Sequence, residues 1–78
     1  MELKDLLEYI VKSLVDSQGE VSITEVKGER AVIYEVKVAD EDKAKIIGKQ
    51  GRTANAIRRI VEAIGRKQGK LVRVEILA

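Results

Sequence analysis

Leu3, Leu6, Leu7, Ile10, Val11, Leu14 and Val15 recur at the i, i+3, i+4, i+7 spacing of a single helix face. Glu, Lys, Asp and Ser fill most of the intervening positions, with Tyr9 off the main stripe. The spacing predicts an amphipathic helix of about four turns that ends near Ser17-Gln18-Gly19, with Gly19 as the residue just past its end. The rhythm then changes to alternation. Val21 and Ile23 alternate with Glu20, Ser22 and Thr24, and Val26 breaks the parity, which hints at a bulge. A polar turn, Lys27-Gly28-Glu29-Arg30, leads into Ala31-Val32-Ile33-Tyr34-Glu35-Val36-Lys37-Val38, where Val32, Tyr34, Val36 and Val38 share one face. Two strands and a short turn predict an antiparallel hairpin, with Tyr34 in the core.

Asp40 is placed to cap the next helix, with Glu41 and Asp42 in its first turn. That helix is short, because Lys43-Ala44-Lys45-Ile46-Ile47 meets Gly48. A further helix is expected from Arg52 to Ile64, with Ala56, Ile57, Ile60, Val61 and Ile64 as its apolar stripe and Gly65 at its end. A basic loop, Arg66-Lys67-Gln68-Gly69-Lys70, precedes a final strand, Leu71–Leu77, whose Val72, Val74 and Ile76 share a face. The order is α-β-β-α-α-β. Layer logic predicts an α+β sandwich in which a three-stranded sheet carries three helices on one face. Ile33, Glu35, Lys37, Arg73 and Glu75 leave the other face mostly polar. Residues 1–78 read as one domain, without repeats, low-complexity segments or Pro.

Composition removes whole classes of chemistry. There is no Cys and no His, so disulfides, the usual zinc ligands and Ser-His or Cys-His nucleophile systems are all excluded. No apolar run approaches the ~18 residues of a membrane span, and Glu2, Lys4, Asp5 and Glu8 break any secretory leader. The expectation is a cytoplasmic, non-enzymatic module without cofactor, metal or small-molecule substrate. The net charge of +2 conceals a division. Residues 1–42 carry five cations against eleven anions, net −6, and residues 43–78 carry ten against two, net +8. A basic half of that strength suits an anionic partner.

The basic half contains Ile46-Ile47-Gly48-Lys49-Gln50-Gly51-Arg52 between its two helices. Glycines accept positive φ and close backbone approach. The free N–H groups at the start of the following helix favour phosphate, and Lys49 and Arg52 add charge. The bland alternative is a tight helix-turn-helix connection in which Gly only solves the backbone geometry. Neither G-x-x-x-x-G-K-[ST] nor G-x-G-x-x-G occurs.

Ile47-Gly48-Lys49-Gln50-Gly51 between two helices, in an α-β-β-α-α-β chain, resembles the type II KH RNA-binding domain. The resemblance covers essentially the whole chain. With the stretch IIGKQGRTANAIRRI, it is nearest to the small stand-alone bacterial KhpA family. It implies a mixed three-stranded sheet and a loop, Gly48 to Gly51, that clamps about four nucleotides of single-stranded RNA. It further implies phosphate contact at the N–H groups around Lys49 and Gln50, and an apolar wall from Ile46, Ile47 and Ala54. Arg52, Asn55 and Arg58 would reach phosphate, sugar or base edges. Ala54 departs from the large aliphatic residue common three positions after the second glycine, which opens the groove. Two Tyr and no Phe or Trp argue against the aromatic platforms of other single-strand binders.

Arg59 and the Arg66–Lys70 loop read first as solvated surface. The resemblance also implies an RNA chaperone in post-transcriptional regulation that forms a homodimer, or a heterodimer with a KhpB (Jag)-type protein. A module whose main role is that assembly is the competing reading. The KH segment of a ribosomal or transcription factor ranks below both, on the Met1 start and the close-fitting end.

Overall fold

The computed structural model describes residues 2–77. Helix α1 spans Leu3–Leu14, strand β1 Ser22–Lys27, strand β2 Ala31–Lys37, helix α2 Lys43–Ile47, helix α3 Arg52–Lys67 and strand β3 Leu71–Ile76. Single 3₁₀ turns at Gln18–Glu20, Asp40–Asp42 and Lys49–Gly51 join them. The α-β-β-α-α-β order is as expected, and so is the sheet. β2 lies centrally, antiparallel to β1 and parallel to β3, with all three helices on one face.

The inner face alternates as the strand period dictates. Ile23 faces Val36, and Tyr34 lies between Glu25 on β1 and Val74 on β3. Leu7, Val11, Ile46 and Val61 are fully or almost fully buried beneath the helices, against Tyr34, Val36, Val72 and Val74. Truncating a side chain such as Leu7 or Ile46 to Ala costs about 2–5 kcal/mol in such a core.

Four local expectations are corrected. α1 is three turns long and its C-cap is Val15, not a residue near Gly19. The β1–β2 register runs unbroken from Ser22↔Lys37 to Lys27↔Val32, so Val26 marks no bulge. It sits on the open face of the sheet, opposite Ile33. Asp40 does not cap α2; it is exposed and pairs with Lys43 at 2.9 Å. Finally, α3 continues through Gly65 to Lys67, and its buried stripe is Ala54, Ile57, Val61 and Gly65. Ala56 and Ile60 face outwards. The rotation has a steric cause. A Cβ on Gly65 would lie 2.4 Å from Val72 Cγ2 and 2.9 Å from Val72 Cβ. Replacing a helical Gly by Ala ordinarily gains up to about 1 kcal/mol, but here the missing side chain is what lets α3 lie against β3.

Asp42 is the one buried charged side chain among the described residues. Its Oδ2 accepts from the Ser17 N–H at 3.0 Å and its Oδ1 from the Asp16 N–H at 3.2 Å. Lys45 Nζ lies 3.5 Å from Oδ1 and also bonds Asp16. The Ser17 N–H does most to hold the Asp42 carboxyl below its ordinary range; burial opposes it, and the Asp16 N–H and Lys45 assist. A folded-state pKa below the unfolded value gives stability that is present at neutral pH and lost as pH falls through the folded pKa. Asp42→Asn is therefore expected to lower stability at pH 7 and to flatten the acid limb below about pH 4. Urea midpoints measured from pH 7 to pH 3 check both.

Candidate nucleic-acid interface

α2 has only five residues, far short of what holds a helix in isolation. It is fixed by Ile46 in the core and by the Asp42–Lys45 contact at its start. It ends when the Gly48 N–H donates to the Ala44 carbonyl at 2.8 Å. Gly48 then adopts φ 75°, ψ 174°, a region essentially reserved for glycine. Gln50 (φ 56°, ψ 26°) and Gly51 (φ 75°, ψ 13°) are left-handed. Three positive-φ residues in four reverse the chain within one 3₁₀ turn, closed by the Gly51 N–H to the Gly48 carbonyl at 3.1 Å.

The two glycines are required for different reasons. A Cβ on Gly48 would lie 2.3 Å from Thr53 Oγ1 and 2.9 Å from the Thr53 N atom. One on Gly51 would meet nothing nearer than Asn55 Nδ2 at 3.9 Å. Gly48 is thus wedged against the first turn of α3, whereas Gly51 needs only its left-handed backbone.

The loop stands out from the surface. Lys49, Gln50, Arg52 and Asn55 are exposed, and Gly48 and Gly51 half-buried. No protein acceptor among the described residues takes the N–H of Lys49 or of Gln50. Arg52 Nη2 donates to Gln50 Oε1 at 3.4 Å, so a cation lies beside the Gln50 side chain. Of the expected apolar wall, only Ile47 reaches the surface, at 40% exposure. Ile46 is completely buried and Ala54 nearly so. They support the loop from below rather than line it, because the face of α2 that carries Ile46 is the face that packs on the core.

Arg58 lies on the side of α3 that faces β3. Its Nε donates to the Val74 carbonyl at 3.1 Å and its Nη1 to Asn55 Oδ1 at 3.1 Å. Glu62, one turn on, accepts from the Val74 N–H at 3.4 Å. Both outward backbone groups of Val74 on the sheet edge are therefore met by α3 side chains. The sequence does not signal this cover, nor the lock between Gly48 and Thr53, since both depend on where α3 comes to rest. Glu62, the one acidic side chain in a basic helix, was its only trace.

A mixed three-stranded sheet, three helices on one face and a glycine loop between two of them define a type II KH domain. Residues 4–76 match the family model for the KhpA/KhpB KH domain, and the chain belongs to that family. It is 55% identical over 75 residues to the RNA-binding protein KhpA of Clostridium acetobutylicum, covering 96% of this chain and all of that one. It is 51% identical to the RNA-binding protein KhpA of Aquifex aeolicus, covering 96% and 95%. Among solved structures, Aquifex aeolicus Era Y63A bound to GDP and AlF4⁻ superposes with a TM-score of 0.63 at 16% identity. That likeness spans 95% of this chain but 29% of Era, and it shows the shared fold alone.

Gly48→Asn is expected to lower stability by about 2 kcal/mol or more, combining clash with backbone strain. Gly51→Asn, which keeps an accessible left-handed backbone, should cost under about 1 kcal/mol. Thermal melts of the two variants compare them directly.

Proposed function

We propose that the chain is a non-enzymatic, cytoplasmic RNA-binding protein that grips short single-stranded RNA at Gly48–Gly51. The observation that carries this reading is the loop itself, in which the N–H groups of Lys49 and Gln50 have no protein acceptor among the described residues and the exposed cations Lys49 and Arg52 lie in and just after the same turn. Such donors suit phosphate oxygens. Ile47 supplies aliphatic surface for a base, and Asn55 and Arg58 lie one and two turns further along α3. The names of the KhpA relatives support the reading, as does the strongly basic second half of the chain. No helix among the described residues is long and apolar enough to cross a membrane.

Lys49→Asp with Gln50→Asp places two anions where phosphates would sit, and Asp tolerates the left-handed backbone at position 50. The double variant should keep the fold and lose RNA binding. Wild-type affinity in a correctly folded variant would refute the site. In the wild-type protein, log K should fall with log salt at about 0.7 per phosphate contacted.

A second reading concerns assembly, and an outward apolar stripe on α3 favours it. Ile60 is 52% exposed, and Ala56 and Ala63 flank it at helical spacing. The matched family embraces both KhpA and KhpB domains, so a homodimer, or a pair with a KhpB-type partner, fits this face. A grip of about four nucleotides gains reach from such pairing, as an RNA chaperone in post-transcriptional regulation requires. Light scattering should give a dimer mass that Ile60→Glu reduces to the monomer. A strictly monomeric wild type that ignores a KhpB-type protein would rule this out.

A further inference from the structure

The sheet has two edges, and they are finished differently. On β3 the outward backbone groups of Val74 are taken by Arg58 and Glu62. β1 forms the other edge and pairs only with β2. The Gly28 N–H donates to the Ala31 carbonyl, which fixes the phase of that ladder. Ser22, Thr24 and Val26 therefore direct their N–H and C=O groups to β2, and Ile23, Glu25 and Lys27 direct theirs outwards. Among the described residues, nothing takes up these outward groups. The strand has no Pro and no bulge, two devices that commonly blunt an edge. Its edge charges, Glu25 and Lys27, are of opposite sign, so they do not repel a copy of themselves as a row of lysines would.

The side chains make this edge self-complementary. Val26 is 46% exposed on the open face of the sheet, beside Ile33 of β2. Glu25 and Lys27 share the opposite face, 3.7 Å apart. A second copy running antiparallel meets the outward groups in few registers. With Glu25 facing the partner's Glu25, like charges stand directly opposite. A shift one way faces Glu25 with the partner's Ile23 and sets Val26 against the partner's Ser22. A shift the other way centres a two-fold axis on Val26. Each Glu25 then lies opposite the partner's Lys27, the two Val26 side chains meet between their Ile33 neighbours, and Thr24 faces Gly28, which has no side chain to obstruct it. Only this last register joins opposite charges and covers Val26.

We propose that the open edge of β1 is a self-association site, where a second copy of the chain adds antiparallel across a two-fold axis at Val26 and the two sheets become one. It does not depend on RNA binding. α3 lies over β3, at the other side of the sheet, where Gly65 meets Val72, so this contact is also separate from the outward seam around Ile60. The overlap covers residues 24–28 alone. Such a contact is small and weak, and it fills at high protein concentration.

The chain has no Cys, so single-cysteine variants read the register directly. Across this two-fold, Val26→Cys puts two thiols on Cα atoms about 4.5 Å apart, within the roughly 4.4–6.8 Å span of a disulfide. Two Thr24→Cys positions lie about 13 Å apart along the strand and cannot bridge. With oxidised glutathione as oxidant, Val26→Cys should give a cross-linked dimer on a non-reducing gel, faster at higher protein concentration, while Thr24→Cys stays uncross-linked. Glu25→Lys or Lys27→Glu, added singly to Val26→Cys, should slow cross-linking several-fold. The two together should restore it, because opposite charges face each other again; circular dichroism verifies each fold. In the wild-type protein, amide exchange at Glu25 and Lys27 should slow between micromolar and millimolar concentration, with Thr24 and Val26 protected at both. Equal cross-linking of Val26→Cys and Thr24→Cys overturns the proposal, as random collision. A folded double swap that stays slow also overturns it. So do Glu25 and Lys27 amides that exchange alike at both concentrations, the result if the edge instead receives an extended segment of another protein.

Discussion

One buried carboxylate fixes the relation between the two halves of this chain. Just past the end of α1, the N–H groups of Asp16 and Ser17 are partly buried and need an acceptor. Asp42, from a turn 25 residues further on, accepts from both. A lone buried anion is costly; here two N–H donors and the Lys45 ammonium offset that cost. The contact anchors the start of α2, and α2 is too short to set its own direction. Everything downstream inherits its placement: the end of α2, the wedge of Gly48 on Thr53, and the first turn of α3.

The acidic and basic halves meet at this contact, where Asp16 and Asp42 both pair with Lys45. α1 and β1 are each electrically balanced, so the acidic excess of the first half lies in its connections, and its buried polar contact with the second half is made by Asp42, at the very end of that half. Beyond it the loop and α3 carry the cations. The near-neutral total obscures a chain whose net positive charge is concentrated in α3 and the turn that precedes it.

Periodicity made the elements legible, because strand and helix rhythms depend only on which face meets the core. The hairpin, the α1 stripe and the helix-loop-helix around Gly48–Gly51 all follow from it. What it misplaced shares one physical reason. The α3 stripe was read from Ala56, Ile57, Ile60, Val61 and Ile64; Ile57, Val61 and Ile64 do pack on the core, but Ala54 and Gly65 complete the buried face, where the small or missing side chain is the determinant. Hydrophobicity cannot register a missing atom. Asp40 has the position of a cap and Asp42 that of an ordinary first-turn acid; only the fold returning α1 to that spot inverts their roles. At the site, composition could select Ile46 and Ile47 as a pair, but not decide which of two adjacent isoleucines faces inwards.

The Arg58 and Glu62 cover on Val74 has a consequence for how this chain keeps company with itself. β3 is an edge strand, and an edge with open N–H and C=O groups templates further strands. Here the middle of that edge is closed by two side chains of opposite sign from the same helix, each matched to the backbone group it meets. The closure is reversible: two side-chain rotations expose a donor and an acceptor where neighbouring chains could begin a shared sheet. Arg58 and Glu62 thus guard this edge against association with further strands.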